Sequence, residues 1–252
     1  MLERKDGFTL VELSIVLVII GLLIGGILVA QSMIQTAKIN AAIRQVQQFD
    51  IALSNFETKY NQLPGDSNLF PYPGNNDGQL EDFRGCCGQI FGSTVGTNEI
   101  DNFWPHLQMS GFNYQNKTFN NIIPNSGFDI DSNNPNAPKV SLDVDAGVVA
   151  AAPAICSGNG MSITSNCYSF GAFRNAQAGQ GGGGTVQLWD IPPVLKPATM
   201  LAIDSKIDDG NPVTGVVQQM GTTGCYSGTA YLTSSSNVTC NMYIKMLSQT
   251  GN

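Results

Sequence analysis

The chain has 252 residues and a formal net charge of −7, and it shows no basic patch, which disfavours a direct role in nucleic-acid binding. Its length is enough for one sizeable hydrophobic core, or for one domain plus an appendage. Glycine is abundant (28 residues), only 12% of the residues are charged, and six cysteines are present. An even number of cysteines fits disulfides if the domain lies outside the cytoplasm.

A long apolar run follows the short polar segment Met1–Gly7. As a helix, residues 8–29 would rise roughly 33 Å, enough to cross a hydrocarbon core about 30 Å thick. A secretory signal peptide would have a shorter apolar region and a small-x-small cleavage site, which is not found after this run. A plain membrane anchor would explain the run but not Glu12, because a carboxylate in apolar surroundings is costly unless it is paired or neutral.

The hexapeptide GFTLVE, residues 7–12, resembles the processing site of the type IV pilin and type II secretion pseudopilin superfamily. The resemblance implies that a prepilin peptidase cuts after Gly7 and methylates Phe8. It also implies that Glu12 meets the N-terminal amine of a neighbouring subunit when helices stack in a filament, so that Glu12 sets the register of assembly. The implied partners are other pilin or pseudopilin subunits, the peptidase, an inner-membrane assembly platform and, before assembly, membrane lipid.

The helix is predicted to continue beyond the apolar run as an amphipathic helix. Apolar residues recur there at steps of three or four, which places them on one helix face: Ile39, Ile43, Val46, Phe49, Leu53, Phe56 and Tyr60. The residues Leu63–Asp66, with Pro64 and Gly65, then end the helix. We therefore predict a leader at 1–7, a transmembrane or filament-core helix at 8–30, its amphipathic half at 31–62 and an extracytoplasmic globular domain at 63–252.

Three glycines, Gly21, Gly25 and Gly26, lie in the membrane half of this helix. Small residues at such spacings let helices approach closely, and glycine is also tolerated in a bilayer without such a role. Both interpretations stay open at this point.

The globular domain is predicted to be an antiparallel β-sheet laid on the amphipathic helix, which gives an α+β fold with long, disulfide-stapled loops. Short strand-like runs support this: Lys139–Val144, Thr185–Leu188, Met200–Ile203, Val213–Gln218, Ala230–Thr233 and Met242–Met246. A short helix is expected near Asp101–Met109, where Pro105 should limit it to a first turn or break it. The run Gln180–Gly184 is typical of a flexible loop.

The cysteines suggest two local disulfides, Cys156–Cys167 and Cys225–Cys240. The adjacent Cys86 and Cys87 could form a strained ring or each reach elsewhere, and six cysteines allow fifteen connectivities. A zinc site is disfavoured because only Cys86 and Cys87 are closely spaced.

Two acidic segments are candidates for calcium binding. Residues 75–80, NNDGQL, resemble part of an EF-hand loop, but Pro73 and Arg84 would occupy its first and last ligand positions and cannot serve there. Asp204, Asp208 and Asp209 form the second segment, and the resemblance favours calcium there because some pseudopilins bind it in a C-terminal loop. Ordinary turn chemistry explains the same residues, so the expectation is no cofactor, with calcium at this segment as the alternative.

The only histidine, His106, lies between Trp104 and Leu107 and is interpreted as a packing residue. No G-x-S-x-G motif or phosphate-binding loop is present, so we do not expect an enzyme. The segments Tyr60–Asp66, Glu99 to Leu107 and Ile203–Gly210 are similar to a group of larger pilin-like proteins, but no chemistry follows from that pattern.

The predicted function is therefore that of a structural subunit, a minor one, of a type IV pilus or a type II secretion pseudopilus. It would be a single-pass inner-membrane protein with its C-terminal domain in the periplasm until it enters the filament. The alternative is an adhesive or substrate-binding module that uses the pilin helix only as an anchor.

Overall fold

The computed structural model describes residues 9–80, 99–112, 137–151, 165–171, 192–219 and 223–247. Within these residues there are three helices, α1 (Leu10–Tyr60), α2 (Glu99–Met109) and α3 (Pro197–Ile207). The strands are β1 (Lys139–Ser141), β2 (Asp145–Ala151), β3 (Cys167–Gly171), β4 (Val217–Gln218), β5 (Tyr226–Ser227), β6 (Ala230–Tyr231) and β7 (Met242–Lys245). The chain divides into two compact units, 1–41 and 42–252, so α1 contributes residues to both.

The first unit contains the N-terminal part of α1. This is the one helix in the described residues that is long and apolar enough to cross a membrane. Apart from Glu12 its side chains carry no charge until Lys38, so helix formation leaves an apolar surface on every side of the rod.

The second unit is built around a five-stranded antiparallel sheet in the order β1-β2-β3-β7-β4. The central strand β3 pairs with β2 through Val149 opposite Ser169, and with β7 through Tyr168 opposite Ile244. All five residues of β3 are buried, so both faces of the sheet centre are covered. The predicted α+β class, with a helix and an antiparallel sheet, is confirmed.

The C-terminal part of α1 packs with α2 and the sheet in a core of aromatic rings. The Phe49 ring centroid lies 4.9 Å from that of Trp104 and 5.7 Å from that of Tyr168. The indole Nε1 of Trp104 donates to the Val148 carbonyl at 2.9 Å, which satisfies the polar atom that this buried ring carries. The face predicted from the spacing is therefore the buried one: Val46, Phe49, Leu53 and Phe56 are all at most 5% exposed.

The two-stranded hairpin β5–β6 lies outside the five-stranded sheet. The disulfide between Cys225 and Cys240 and a hydrogen bond of 2.7 Å from the Tyr231 hydroxyl to Asp204 Oδ2 fix its base. The hairpin is thereby joined both to α3 and to the segment that leads into β7.

Two local predictions were wrong. Met200–Ile203 is not a strand but the middle of α3, because Pro197 occupies the helix start, where a missing N–H costs nothing, and good helix formers follow it. Pro105 does not break α2, which runs for 11 residues through it. Buried Phe103, Trp104 and Leu107 anchor α2 and offset the lost backbone hydrogen bond.

The other strand predictions are matched by shorter strands in the same places, except for Thr185–Leu188, which lies outside the described residues together with Gln180–Gly184. Strands β2, β3 and β5 were not predicted. The end of α1 at Tyr60 agrees with the expected stop before Pro64, and Asn61 adopts the left-handed conformation there with φ of 52°.

Candidate functional site

The first turn of α1 is closed by a reciprocal pair of hydrogen bonds between Thr9 and Glu12. The Thr9 backbone N–H donates to Glu12 Oε2 at 2.8 Å, and the Glu12 backbone N–H donates to Thr9 Oγ1 at 3.3 Å. The Thr9 hydroxyl also donates to Glu12 Oε2 at 2.8 Å. This is a capping box, in which the N-cap residue and the third helical residue satisfy each other's backbone donors.

The predicted cleavage and methylation positions, Gly7 and Phe8, lie outside the described residues. Thr9 and Glu12 follow them directly. In the single chain the Glu12 carboxylate therefore has hydrogen-bond donors within its own helix, a role that the sequence analysis did not assign to it.

The surface of the first unit is a rod of exposed hydrocarbon. From Leu10 to Ile34 its large apolar side chains are between 45% and 87% exposed. The hydroxyls of Ser14 and Ser32 bond to the carbonyls of Val11 and Val29, each at 2.8 Å, so these polar groups are satisfied within the helix. A surface of this kind is unfavourable in water and is stabilised by lipid or by other helices.

Gly21, Gly25 and Gly26 interrupt this rod. A Cβ placed on any of them would meet nothing within 4 Å in the described chain. Among the described residues, therefore, no packing requires glycine at these positions. Glycines that leave the helix surface open in this way would allow another helix to approach closely.

In the second unit, residues 62–80 wrap around the buried carboxylate of Asp66. The backbone N–H groups of Asn76 and Gly78 donate to Asp66 at 2.5 and 2.8 Å, and that of Asp77 donates at 3.3 Å. Burial raises the pKa of Asp66, and these backbone donors act in the opposite direction. The Asp66 carboxylate therefore takes the place of water as the hydrogen-bond acceptor for the consecutive backbone N–H groups of this turn.

Helix α2 fastens the same loop from its other side. Glu99 Oε1 accepts from the Asn75 N–H at 2.9 Å, and His106 Nδ1 accepts from the Gly65 N–H at 2.9 Å. Gly65 has a φ of +91° and lies so close to the Glu99 carbonyl that a Cβ there would collide with it. The similarity noted among Tyr60–Asp66 and Glu99 to Leu107 thus corresponds to one physical unit, a loop clamped to a helix.

Asp66, Asp77 and Glu99 offer oxygens that all lie within 4.8 Å of one another. This cluster is not predictable from a local pattern, because Glu99 lies 22 positions from Asp77 and only residues 75–80 resemble a calcium loop. Backbone N–H groups already bond to Asp66 and Glu99, which explains why both acids are buried. The arrangement is a means of holding the loop in place.

The predicted calcium segment also forms a cluster, in which Asp204, Asp208 and Asp209 place oxygens within 4.8 Å of one another. Calcium takes six to eight oxygens at about 2.3–2.6 Å, so the spacing of these oxygens fits an ion. Both oxygens of Asp204 and of Asp209, however, accept hydrogen bonds from the chain, from Gly210, Tyr231, Asn211 and Thr214.

The third acid of this cluster, Asp208, accepts from the N–H groups of Val216 and Val217. Gly215, with φ of +80°, passes so close to Asp208 that a Cβ would overlap its carboxylate. Burial raises the pKa of Asp204 to about 6, whereas the bonds from Thr214 and Asn211 lower the pKa of Asp209. The turn chemistry stated from the sequence accounts for the backbone contacts and the Thr214 contact in this segment, whereas the Tyr231 hydroxyl reaches Asp204 from β6.

The predicted Cys225–Cys240 disulfide is present, with Cα atoms 5.0 Å apart. Cys167 at the start of β3 is also disulfide-bonded. The other predicted members, Cys86, Cys87 and Cys156, lie outside the described residues.

Comparison with known proteins gives one match. Residues 3–28 match the family model described as the prokaryotic N-terminal methylation motif. No curated protein and no solved structure matches the chain.

The fold and this motif together define the class. A long apolar N-terminal helix and an antiparallel sheet form an α+β protein whose helix fits membrane anchoring. The matched motif is the prepilin-type signal of type IV pilins and pseudopilins, and this chain carries it. The signal supports a pilin-like or pseudopilin subunit, which is a structural class of protein rather than an enzyme. It implies processing by a prepilin peptidase and assembly with other pilin subunits.

Proposed function

We propose that the protein is a minor structural subunit of a type IV pilus or a type II secretion pseudopilus. The observation that carries this proposal is the exposed apolar rod of α1, with the single acid Glu12 in its first turn. Other copies of such a rod would cover its hydrocarbon surface in a filament, and helix packing would supply most of the energy of assembly.

The proposed mechanism is polymerisation. Cleavage after Gly7 would create a positively charged amine on Phe8, and Glu12 of an adjacent subunit would pair with that amine. In an apolar setting such a pair is strongly favoured over either charge alone, so it would fix the axial register of neighbouring helices. Before it enters a filament, the processed subunit would be anchored in the inner membrane with its second unit in the periplasm.

The proposal of a minor subunit depends on chain length. The sequence after Leu63 is rich in Gly, Asn, Ser and Pro, a composition typical of loops. Loops are common carriers of binding function, which suits a subunit present in few copies that contacts a surface or an exported protein. Quantitative mass spectrometry of purified filaments should find this chain well below the main subunit, and equal amounts would refute minor status.

Processing and assembly need separate tests. Mass spectrometry of the mature protein should find an N-terminal methylated Phe8, and retention of Met1 would refute processing. Glu12→Ala and Glu12→Gln should be processed but absent from sheared filaments, whereas Glu12→Asp should retain part of the incorporation. Glu57→Gln is the matched control, because it changes an acid of the same helix within the second unit. Normal incorporation of Glu12→Gln would refute the role of the charge.

The second candidate is an adhesive or substrate-binding module anchored by α1. The observation that favours it is the exposed tip of the β5–β6 hairpin, residues 227–230, with a disulfide at the base of the hairpin. Under this alternative, Glu12→Ala would leave cell binding or cargo binding intact although no filament contains the chain. Loss of both binding and incorporation on the same substitution would favour the subunit.

A further inference from the structure

Residues 68–73, with the sequence NLFPYP, form a loop that is closed at its base. The Gly74 N–H donates to the Ser67 carbonyl at 3.1 Å, which brings the two ends of the loop together. Every residue of the loop except Phe70 is exposed, and Leu69 and Tyr72 are 61% and 42% exposed. A short loop thus presents an aromatic ring, a leucine and two prolines on the surface.

Contacts with α2 hold this loop in place. The ring centroid of Phe70 lies 5.2 Å from that of His106. The Pro71 carbonyl lies 3.0 Å from His106 Nε2. The Tyr72 carbonyl accepts a hydrogen bond from Asn102 Nδ2 at 3.2 Å. Because three successive residues of the loop are held, little conformational entropy would be lost when the loop binds a ligand.

Tyr72 has a backbone conformation that side chains of its size rarely adopt. Its φ is 60°, in the left-handed region that favours glycine. Such strain persists only where surrounding contacts impose it, and it is concentrated at sites of function. Because the ring is 42% exposed, packing within the chain gives only part of the reason for a tyrosine where glycine would be unstrained. A contact that the ring makes with another molecule would supply the rest.

The polar side chains beside this ring are amides and one carboxylate. Residues 60–80 contain no lysine or arginine. Neither Asn68 nor Asn76, both exposed, donates through its amide nitrogen to another residue in the described part of the chain. The exposed Asp77 carboxylate accepts from Asn75 Nδ2 at 3.0 Å. An anionic ligand would be repelled by this carboxylate, and a purely apolar one would leave the amides without hydrogen bonds.

A neutral sugar suits both the ring and the amides. One face of a pyranose consists of C–H groups that pack on an aromatic ring, and the hydroxyls at its edge exchange hydrogen bonds with amides and carboxylates. We propose that residues 68–77 form a binding surface for a neutral carbohydrate chain, with Tyr72 as the ring on which a sugar stacks. Asn68, Asn76 and Asp77 would bond to the hydroxyls. Such a surface deepens the second candidate function, an anchored binding module, by giving it a ligand class and a place other than the hairpin.

Retention of the full-length protein on insoluble neutral polysaccharides tests this surface. Cellulose, chitin and starch are the probes, in a detergent without a sugar headgroup. We expect retention on at least one of them, and release by a soluble oligosaccharide of the same sugar. Tyr72→Ala should weaken the apparent affinity roughly tenfold, whereas Tyr72→Phe keeps the ring and should retain most of it. Tyr226→Ala is the matched control, a partly exposed tyrosine of the hairpin, and should bind as wild type does.

Glycine at position 72 separates binding from folding. Tyr72→Gly removes the ring and also relieves the left-handed backbone, so its Tm should lie above that of Tyr72→Ala although it has equally lost binding. The reverse order of Tm would overturn the strained conformation on which the proposal depends. Failure of all three polysaccharides to retain the wild type, or full retention of Tyr72→Ala, would overturn the carbohydrate surface.

Self-association that depends on Tyr72, in place of retention, would assign the loop to contacts between copies and would overturn the proposal as well. None of these measurements requires that the chain enter a filament. The processing of Phe8 and the incorporation of the Glu12 variants are measured separately, so failure of the carbohydrate surface is distinguishable from failure of the subunit proposal.

Discussion

The backbone N–H of Gly65 donates a hydrogen bond of 2.9 Å to Nδ1 of His106. Because an N–H group can only donate, Nδ1 carries no proton, and the ring proton is on Nε2, which lies 3.0 Å from the Pro71 carbonyl. One neutral imidazole thus holds two points of the 62–80 loop against α2.

The first prediction concerns this histidine and pH. Burial lowers the pKa of His106 below its ordinary value, so the unfolded chain binds the proton more readily than the folded one. The contribution of His106 to stability is therefore present above about pH 6.5 and is lost as the pH falls toward the folded pKa. His106→Ala should lower the free energy of unfolding at pH 7 by about 1–3 kcal/mol for the orphaned Gly65 N–H alone.

The measurement is chemical denaturation of wild type and variant at several pH values. The difference between them should shrink from about pH 7 to about pH 5. His106→Asn, which offers an oxygen in place of Nδ1, is the control and should recover part of the loss at pH 7. A difference that stays constant with pH would contradict the neutral tautomer.

The second prediction concerns the disulfide at the base of the hairpin. Cys225 and Cys240 are 15 positions apart, and closing a loop of that length is worth about 3 kcal/mol. The double variant Cys225→Ser, Cys240→Ser should therefore lower the Tm by roughly 6–12 °C. Scanning calorimetry without reductant measures this change, since a reductant would also reach the disulfide of Cys167. An unchanged Tm would mean that the contacts of Tyr231 suffice to hold the hairpin.

The third prediction concerns the pair formed by Tyr231 and Asp204. The hydroxyl bonds to the carboxylate at 2.7 Å and lowers its pKa, against the larger effect of burial, which raises it to about 6. Because folding raises the pKa of Asp204, ionisation of this carboxyl destabilises the folded state above about pH 6. This destabilisation is relieved as the pH falls toward 3.8, the ordinary pKa of the group. Tyr231→Phe should therefore destabilise the protein more at pH 7 than at pH 5.

A double-mutant cycle checks this pair. In the Asp204→Asn background the charge is absent, so Tyr231→Phe should cost less at pH 7 than in wild type. Equal costs in the two backgrounds would show that the charge of Asp204 adds nothing to its interaction with the hydroxyl.

The fourth prediction concerns calcium. Because the carboxylates of Asp204, Asp208 and Asp209 already accept hydrogen bonds from the chain, we expect the Tm in millimolar calcium and in chelator to agree within about 1 °C. A calcium-dependent rise in Tm that Asp209→Asn abolishes would instead establish an ion site. The cluster at Asp66 provides the comparison, and Asp77→Asn separates a response at that cluster from one at Asp209.

The fifth prediction concerns the capping box. Thr9→Ala removes an acceptor for the Glu12 N–H and a donor to its carboxylate, and should cost about 1 kcal/mol in the first turn of α1. Hydrogen exchange of residues 10–13 in detergent should show faster exchange in Thr9→Ala and near wild-type exchange in Thr9→Ser. No change in Thr9→Ala would mean that the turn is held by the rest of the helix.

What the sequence predicts well is what depends on periodicity. Steps of three and four in α1 indicate its buried face, and Pro64 with Gly65 marks its end. Strand β2, DAGVVAA, was missed because a strand covered on both faces shows no alternation of polar and apolar residues. Residues Met200–Ile203 appear in isolation equally compatible with a strand, and only the proline before them distinguishes the helix.

The arrangement of the 62–80 loop around Asp66 could not be derived from local patterns, because the residues that hold the loop come from three distant segments. The loop around Asp66 bonds to Glu99 through the Asn75 N–H and to Asn166 through the Leu80 N–H, and these segments come together only once the chain has folded. One signal was available in the sequence. An acid, Asp66, begins a proline-rich loop, and consecutive Asn, Asp and Gly residues follow about ten positions later. A turn of this composition presents backbone N–H groups that need an acceptor. The capping box of Thr9 and Glu12, by contrast, has the T-x-x-E spacing and is readable directly from the sequence.

The described sheet ends in two very short strands, three residues in β1 and two in β4. An edge this short presents few free backbone donors and acceptors, so a second sheet gains little by adding to it. Many copies of this domain held side by side at high local density would therefore resist amyloid-like fusion. If copies assemble, the contacts between them would then be made by the rod-shaped part of α1 and not by the edges of the sheet.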